Sequence, residues 1–194
     1  MTLAPTLPDR DDWTVDDLAQ LPPDLRYELI NGRLISLPSA VGVHNWICRH
    51  VANALEAECP SDLMVVNDLS LAVDHRNEPR PDVVIIPEKD SGVSPAPIRG
   101  ALLVAEVISP ESRTRDRRDK TALFARARVQ TYWVIDPRGD QISLTERVLM
   151  GDLYQVVTET EDVFVTERPW KTAIDLPAFT ARRDRALGPP SRRR

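Results

Sequence analysis

The chain has 194 residues, 42% of them hydrophobic and 28% charged, the balance of a globular protein with room for one sizeable core. No apolar run approaches the ~20 residues that a membrane-crossing helix needs, so no membrane role is expected. The formal net charge of −5 argues against coating nucleic acid by bulk electrostatics and directs attention to where the cations cluster.

Met1 to Asp12 carries prolines and aspartates where an export signal would place a basic patch and an apolar stretch. Cys48 and Cys59 fall on what reads as a single helix, a poor setting for a disulfide. A cytoplasmic protein is expected. Thr14 and Asp17 form a capping-box pattern that predicts a short helix from Val15 to Leu21, stopped by Pro22 and Pro23. Tyr27-Glu28-Leu29-Ile30 and Arg33-Leu34-Ile35-Ser36-Leu37 flank Asn31-Gly32, the dipeptide best suited to a type I′ turn, and predict a β-hairpin with Glu28 facing opposite to Leu29.

Ser39 is placed to cap a long helix to about Glu58, with Val43, Ile47, Val51, Ala54 and Leu55 recurring on one face. Met64 to Val73 reads as a strand. Pro79 to Pro81 interrupts before Val83-Val84-Ile85-Ile86, and a second near-continuous apolar run spans Ala101 to Ile108. Short, β-branched and bounded by prolines, both look like strands buried on two faces. A helix follows from Asp116 to about Arg128, then a strand Thr131 to Ile135 closed by Asp136-Pro137, and further strands at Gln141 to Arg147 and Tyr154 to Val157. Residues 1–180 are expected to form one domain and the basic segment 181–194 a frayed tail.

Chemistry enters where carboxylates interrupt apolar runs. Asp82 opens one buried strand and Glu106 sits inside the other, positions where an uncompensated charge costs several kcal/mol and calls for a cation, a proton or a basic partner. Two such acids on neighbouring strand ends make an oxygen-rich site suited to Mg²⁺. The alternative is an ion pair of Glu106 with a buried arginine. Lys120, Leu123, Phe124 and Ala127 follow helical spacing, so Lys120 heads a stripe turned toward the sheet, either to meet a carboxylate or to snorkel at its edge. Arg113, Arg115, Arg117 and Arg118 lie just before it, and Arg182, Arg183 and Arg185 with the terminal arginines make a second basic group. Either group serves phosphate contact or simple solvation. His44, near the start of the long helix, lies within reach of the site or on the surface.

The ordered blocks Tyr27-Glu28-Leu29-Ile30-Asn31-Gly32, Pro81-Asp82-Val83-Val84, Glu106-Val107-Ile108-Ser109-Pro110, Asp116 to Lys120 and Tyr132-Trp133-Val134-Ile135-Asp136-Pro137 resemble the Uma-two family of putative restriction endonucleases, within the PD-(D/E)XK nuclease superfamily. The resemblance runs from about Thr14 to Phe179. It implies an α/β, restriction-endonuclease-like fold: a mixed sheet flanked by helices, with an N-terminal β-hairpin. It further implies Asp82 and Glu106 as ligands of Mg²⁺ or Mn²⁺, Lys120 as the catalytic lysine and Glu28 as an accessory acid. The superfamily's usual lysine position, two residues after the second acid, is occupied by Ile108, and Lys120 on the next helix takes its place. Phe124 stands where the family commonly has Tyr.

The function so implied is metal-dependent hydrolysis of DNA phosphodiesters, with Arg113, Arg115, Arg117 and Arg118 as the nucleic-acid contact. Cutting two strands calls for two sites, which makes a homodimer the expected assembly. The alternatives are a catalytically silent nuclease fold that binds DNA or a protein, and a hydrolase of small phosphate esters.

Overall fold

A computed structural model describes residues 10–22, 25–37, 41–109 and 114–188, the side chains of 114–117 excepted. The first helix, α1 (Val15–Leu18), is entered through the expected box: the Asp17 carboxylate accepts from the Thr14 backbone N–H at 2.8 Å and from its hydroxyl at 2.9 Å. It ends at Leu18, short of the expected Leu21, with Ala19 as its C-cap. Strands β1 (Tyr27–Ile30) and β2 (Arg33–Ser36) pair antiparallel, with Glu28 opposite Ile35. Asn31 and Gly32 both have positive φ, 53° and 76°, as a type I′ turn requires. Helix α2 spans Gly42–Glu56 with Val41 at its N-cap. The expected cap Ser39 lies outside the described residues.

In place of the single strand expected from Met64 to Val73 there are two, β3 (Leu63–Asn67) and β4 (Leu71–Ala72), separated at Asp68, whose φ of 56° breaks the extended chain. Then come β5 (Val83–Pro87), β6 (Ala96–Pro97), β7 (Leu103–Val107), α3 (Thr114–Arg126) and β8 (Thr131–Asp136). The chain continues through β9 (Ser143–Met150), β10 (Leu153–Thr160), β11 (Val163–Thr166), β12 (Thr172–Asp175) and α4 (Leu176–Leu187).

A six-stranded sheet in the order β10-β9-β8-β7-β5-β3 organises the molecule. It is antiparallel except for β7 and β8, which run parallel because α3 carries the chain back between them. Alternation along the central strands sends Val83, Ile85, Leu103, Ala105, Trp133 and Ile135 to one face, against Ile47, Val51 and Leu55 of α2 and Phe164 and Phe179 beyond. Val84, Ile86, Val104 and Tyr132 face the other way, against Phe124 of α3 and Val129. The central strands β5 and β7 are thus buried on both faces, which accounts for their unbroken apolar runs. Each large aliphatic side chain removed from water contributes roughly 1.5–3 kcal/mol.

The last stretch departs from expectation. From Ala181, where a frayed tail is expected, the chain is helical to Leu187. Its anchor is Arg183, only 1% exposed, which donates to the carbonyls of Pro137 (2.7 Å), Gly139 (2.8 Å) and Asp140 (2.6 Å). A buried guanidinium with its donors satisfied holds the helix against the β8–β9 connection. Residues 189–194 lie outside the described residues.

Candidate active site

The site is built where β5 begins and β7 ends. Val83 pairs with Ala105 in the antiparallel β5–β7 ladder, so the residue before Val83 stands across from the residue after Ala105: Asp82 opposite Glu106. Asp82 is pinned from both ends. Its carbonyl accepts from the Asp68 N–H and from Asn67 Nδ2, both at 3.1 Å, while its carboxylate Oδ2 accepts from the Val107 N–H at 2.7 Å.

Lys120 comes from the layer beyond the sheet. The helical stripe that it heads is turned inward, with Leu123 and Phe124 at 1% and 0% exposed, and its ammonium is buried among carboxylates. Nζ donates to Glu106 Oε1 at 2.8 Å and lies 2.6 Å from Glu28 Oε1. Glu28 is buried rather than facing solvent on the hairpin. The hairpin is docked on the segment after β4, through reciprocal backbone bonds between Leu29 and Glu78 (3.0 and 2.8 Å) and from Gly32 N–H to the Arg76 carbonyl (3.0 Å). This docking leaves Glu28 Oε1 to accept from the Arg80 N–H at 2.8 Å as well. Arg80 and Arg26 in turn hold Asp68, at 2.8 and 2.7 Å, and although burial opposes it they keep that carboxyl below the usual range.

Two carboxylates, Glu28 and Glu106, therefore share one ammonium, and a third, Asp82, lies close enough to Glu106 for its charge to act there. Burial pushes the Glu106 carboxyl up, to about 8, and the charges of Asp82 and Glu28 add to the push against the opposing pull of Lys120. Burial alone would lower the Lys120 pKa, but Glu106 and Glu28 outweigh it and raise it, so the lysine stays charged. The cluster carries an excess of negative charge on oxygens largely withdrawn from solvent. A hard divalent cation fits that donor set: Asp82 and Glu106 meet from adjacent strands, and oxygen ligands are what such an ion takes.

Two more groups close the site from the α2 side. His44 Nε2 lies 3.1 Å from the Val107 carbonyl oxygen and 3.4 Å from Asp82 Oδ2. Burial opposes its protonation, but Asp82, the Val107 carbonyl and Glu106 prevail and raise its pKa. Cys48, one turn further along the helix, has Sγ 3.5 Å from His44 Nδ1. Sequence alone leaves His44 between site and surface and assigns Cys48 no role there. The signal for the pair is the i, i+4 spacing of two ligand-type residues on the first turns of an amphipathic helix.

The expected phosphate-binding arginines fall largely outside the described residues. Arg113 lies beyond them, the side chains of Arg115 and Arg117 are not described, and Arg118 is exposed on α3. Of the second basic group, Arg182 and Arg185 are exposed, but Arg183 is committed to internal carbonyls.

A family model described as "Putative restriction endonuclease" matches residues 15–176. Among curated proteins there is no match. A crystal structure of a putative nuclease belonging to DUF820 from Anabaena variabilis is similar in fold, with a TM-score of 0.68 over 87% of this chain and 97% of that one, at 14% sequence identity.

Proposed function

Since this chain belongs to the Uma-two family of putative restriction endonucleases, we propose that it is a metal-dependent endonuclease that hydrolyses phosphodiester bonds of DNA. The observation that carries the proposal is the Glu28–Lys120–Glu106 arrangement beside Asp82: a buried ammonium locked at 2.6 and 2.8 Å by two acids, next to a third. A purely structural ion pair needs one acid per lysine, whereas a site that holds a cation needs the surplus.

In this reading Asp82 and Glu106 would hold Mg²⁺ or Mn²⁺, which would supply a water of lowered pKa and offset charge on the scissile phosphate. Lys120 contributes a fixed positive charge where the phosphorane develops its negative charge, and its Nζ–H bonds orient the attacking water. Glu28 keeps the ammonium aimed and protonated. Asp82 is held in place by the Val107 N–H, so one oxygen is oriented before any cation arrives. The arginines around the start of α3, Arg113, Arg115, Arg117 and Arg118, bring the DNA backbone alongside. Cleavage of both strands calls for two copies of the site, hence a homodimer, working in the cytoplasm.

The test is incubation of the purified protein with supercoiled plasmid and, separately, with a small phosphodiester, each with and without Mg²⁺ or Mn²⁺. Cation-dependent nicking or linearisation of the plasmid is expected. Turnover of the small ester alone would favour a small-phosphoester hydrolase, and DNA binding without cutting a silent binding module.

A further inference from the structure

Among the described residues a second group of ligand-type side chains adjoins the lysine cluster and shares one acid with it: His44 and Cys48 on α2, with Asp82. We propose that these three residues form a second cation site, one for a thiophilic divalent ion of the zinc class. The ligand atoms of all three lie within 4.8 Å of one another. His44 Nε2 lies 3.1 Å from the Val107 carbonyl oxygen, which can only accept, so it carries the ring proton and the lone pair is on Nδ1. Cys48 Sγ lies 3.5 Å from that nitrogen. Zinc bonds of ~2.3 Å to sulfur and ~2.0–2.1 Å to nitrogen, at a tetrahedral angle, separate the two ligands by ~3.6 Å, so helix α2 already spaces them correctly.

The outer contact is also in place, since a ligating imidazole commonly donates its other N–H to a backbone carbonyl. Here that carbonyl belongs to Val107, whose N–H holds Asp82. Asp82 takes the third position by turning a carboxylate oxygen from Nε2 toward the Nδ1 side, and water reaching its 22% exposed side chain supplies the fourth. A thiolate and an imidazole select Zn²⁺ or Co²⁺ over Mg²⁺. On binding, bonds form from the ion to Nδ1, Sγ and a carboxylate oxygen. The Cys48 S–H bond breaks, its electron pair stays on sulfur and its proton goes to solvent, with no change of oxidation state. Because Asp82 serves both sites, zinc and magnesium compete for it, a consequence that rests on the nuclease reading, whereas the site itself does not.

Titration of the reduced full chain with Co²⁺, without DNA, tests the site. A thiolate-to-cobalt charge-transfer band should grow to one ion per chain and be abolished by Zn²⁺. It should survive Cys59→Ser, vanish in Cys48→Ala with far-UV circular dichroism unchanged, and need at least ~10-fold more Co²⁺ in His44→Gln. No band, or one that persists in Cys48→Ala, overturns the assignment. Should Cys48→Ala not fold, His44→Gln decides, and an unchanged cobalt affinity there also overturns it. A cobalt band in a protein that cuts no DNA would leave this site standing and remove only the nuclease reading.

Discussion

Lys120 Nζ sits 2.8 Å from Glu106 Oε1, although the two residues belong to different layers of the fold, α3 and β7. Glu28 approaches the same ammonium to 2.6 Å from the hairpin. Replacing the lysine by a neutral side chain leaves two carboxylates buried without their partner. Lys120→Met should therefore lose roughly 3–5 kcal/mol of stability as well as cleavage. The double variant Lys120→Met/Glu28→Gln should recover part of the stability and none of the cleavage. Urea unfolding of the three proteins checks this, and a Lys120→Met variant as stable as the parent would remove the buried ion-pair network from the account.

Glu106 holds its proton in the folded, metal-free protein up to about 8, against an ordinary value of 4.5. Between those values the unfolded chain has lost a proton that the native state keeps, so native stability falls as pH rises through that window. Glu106→Gln should flatten this slope and raise stability at pH 8 by roughly 1–3 kcal/mol, since the desolvation cost of the charged form is gone. It should also abolish Mn²⁺ binding. In the parent, Mn²⁺ affinity should climb as pH approaches about 8 and level off above it, because the ion displaces that proton. Calorimetry across this range reads both effects. Equal Mn²⁺ affinity in Glu106→Gln would contradict the ligand role.

Gly32 turns the hairpin that carries Glu28. Its φ is 76°, and a Cβ there would lie 2.8 Å from the Asp11 carbonyl oxygen and press on the Arg76 guanidinium. Gly32→Ala should cost roughly 1–3 kcal/mol through strain and displacement of Arg76. Thermal unfolding measures the loss. A variant with an unchanged melting temperature would mean that the hairpin tolerates movement and does not fix Glu28.

Arg115 and Arg117 precede Lys120 on α3. Their replacement by Ala should weaken DNA binding about equally for all sequences and reduce the slope of log affinity against log salt by roughly 2, one for each phosphate left without its arginine. Fluorescence anisotropy at several salt concentrations checks this. Unchanged slopes would make these arginines solvated charges and leave Arg182 and Arg185, both exposed on α4, as candidates.

Much of this arrangement is legible in the sequence because its signals are local. Asn31-Gly32 favours its own turn, and the apolar runs around Asp82 and Glu106, short, β-branched and bounded by prolines, read as strands covered on both sides. Helical spacing puts Lys120 at the head of the Leu123–Phe124 stripe, on the face turned toward the sheet. What local pattern misses is long-range. Nothing near Arg183 announces that its guanidinium will find three carbonyls of the β8–β9 connection, so a helix reads as a basic tail. Asp68 breaks a strand through a positive φ and is braced by Arg26 and Arg80, partners that neighbouring residues do not reveal. The burial of Glu28 likewise depends on the docking of the hairpin against residues 76–80, and the approach of His44 to Asp82 on the meeting of α2 with the end of β7.

The most direct test of the central claim is single-turnover cleavage of supercoiled DNA by the parent and by Asp82→Asn, each with Mn²⁺ and with chelator. Asp82→Asn keeps the shape of the side chain and an oxygen to accept the Val107 N–H while removing the negative charge, so the fold should stand. The account predicts nicking or linearisation by the parent only with the cation, and a rate at least ~100-fold lower for Asp82→Asn under the same conditions. Cleavage that persists in chelator, or that proceeds at the parental rate in Asp82→Asn, would contradict it.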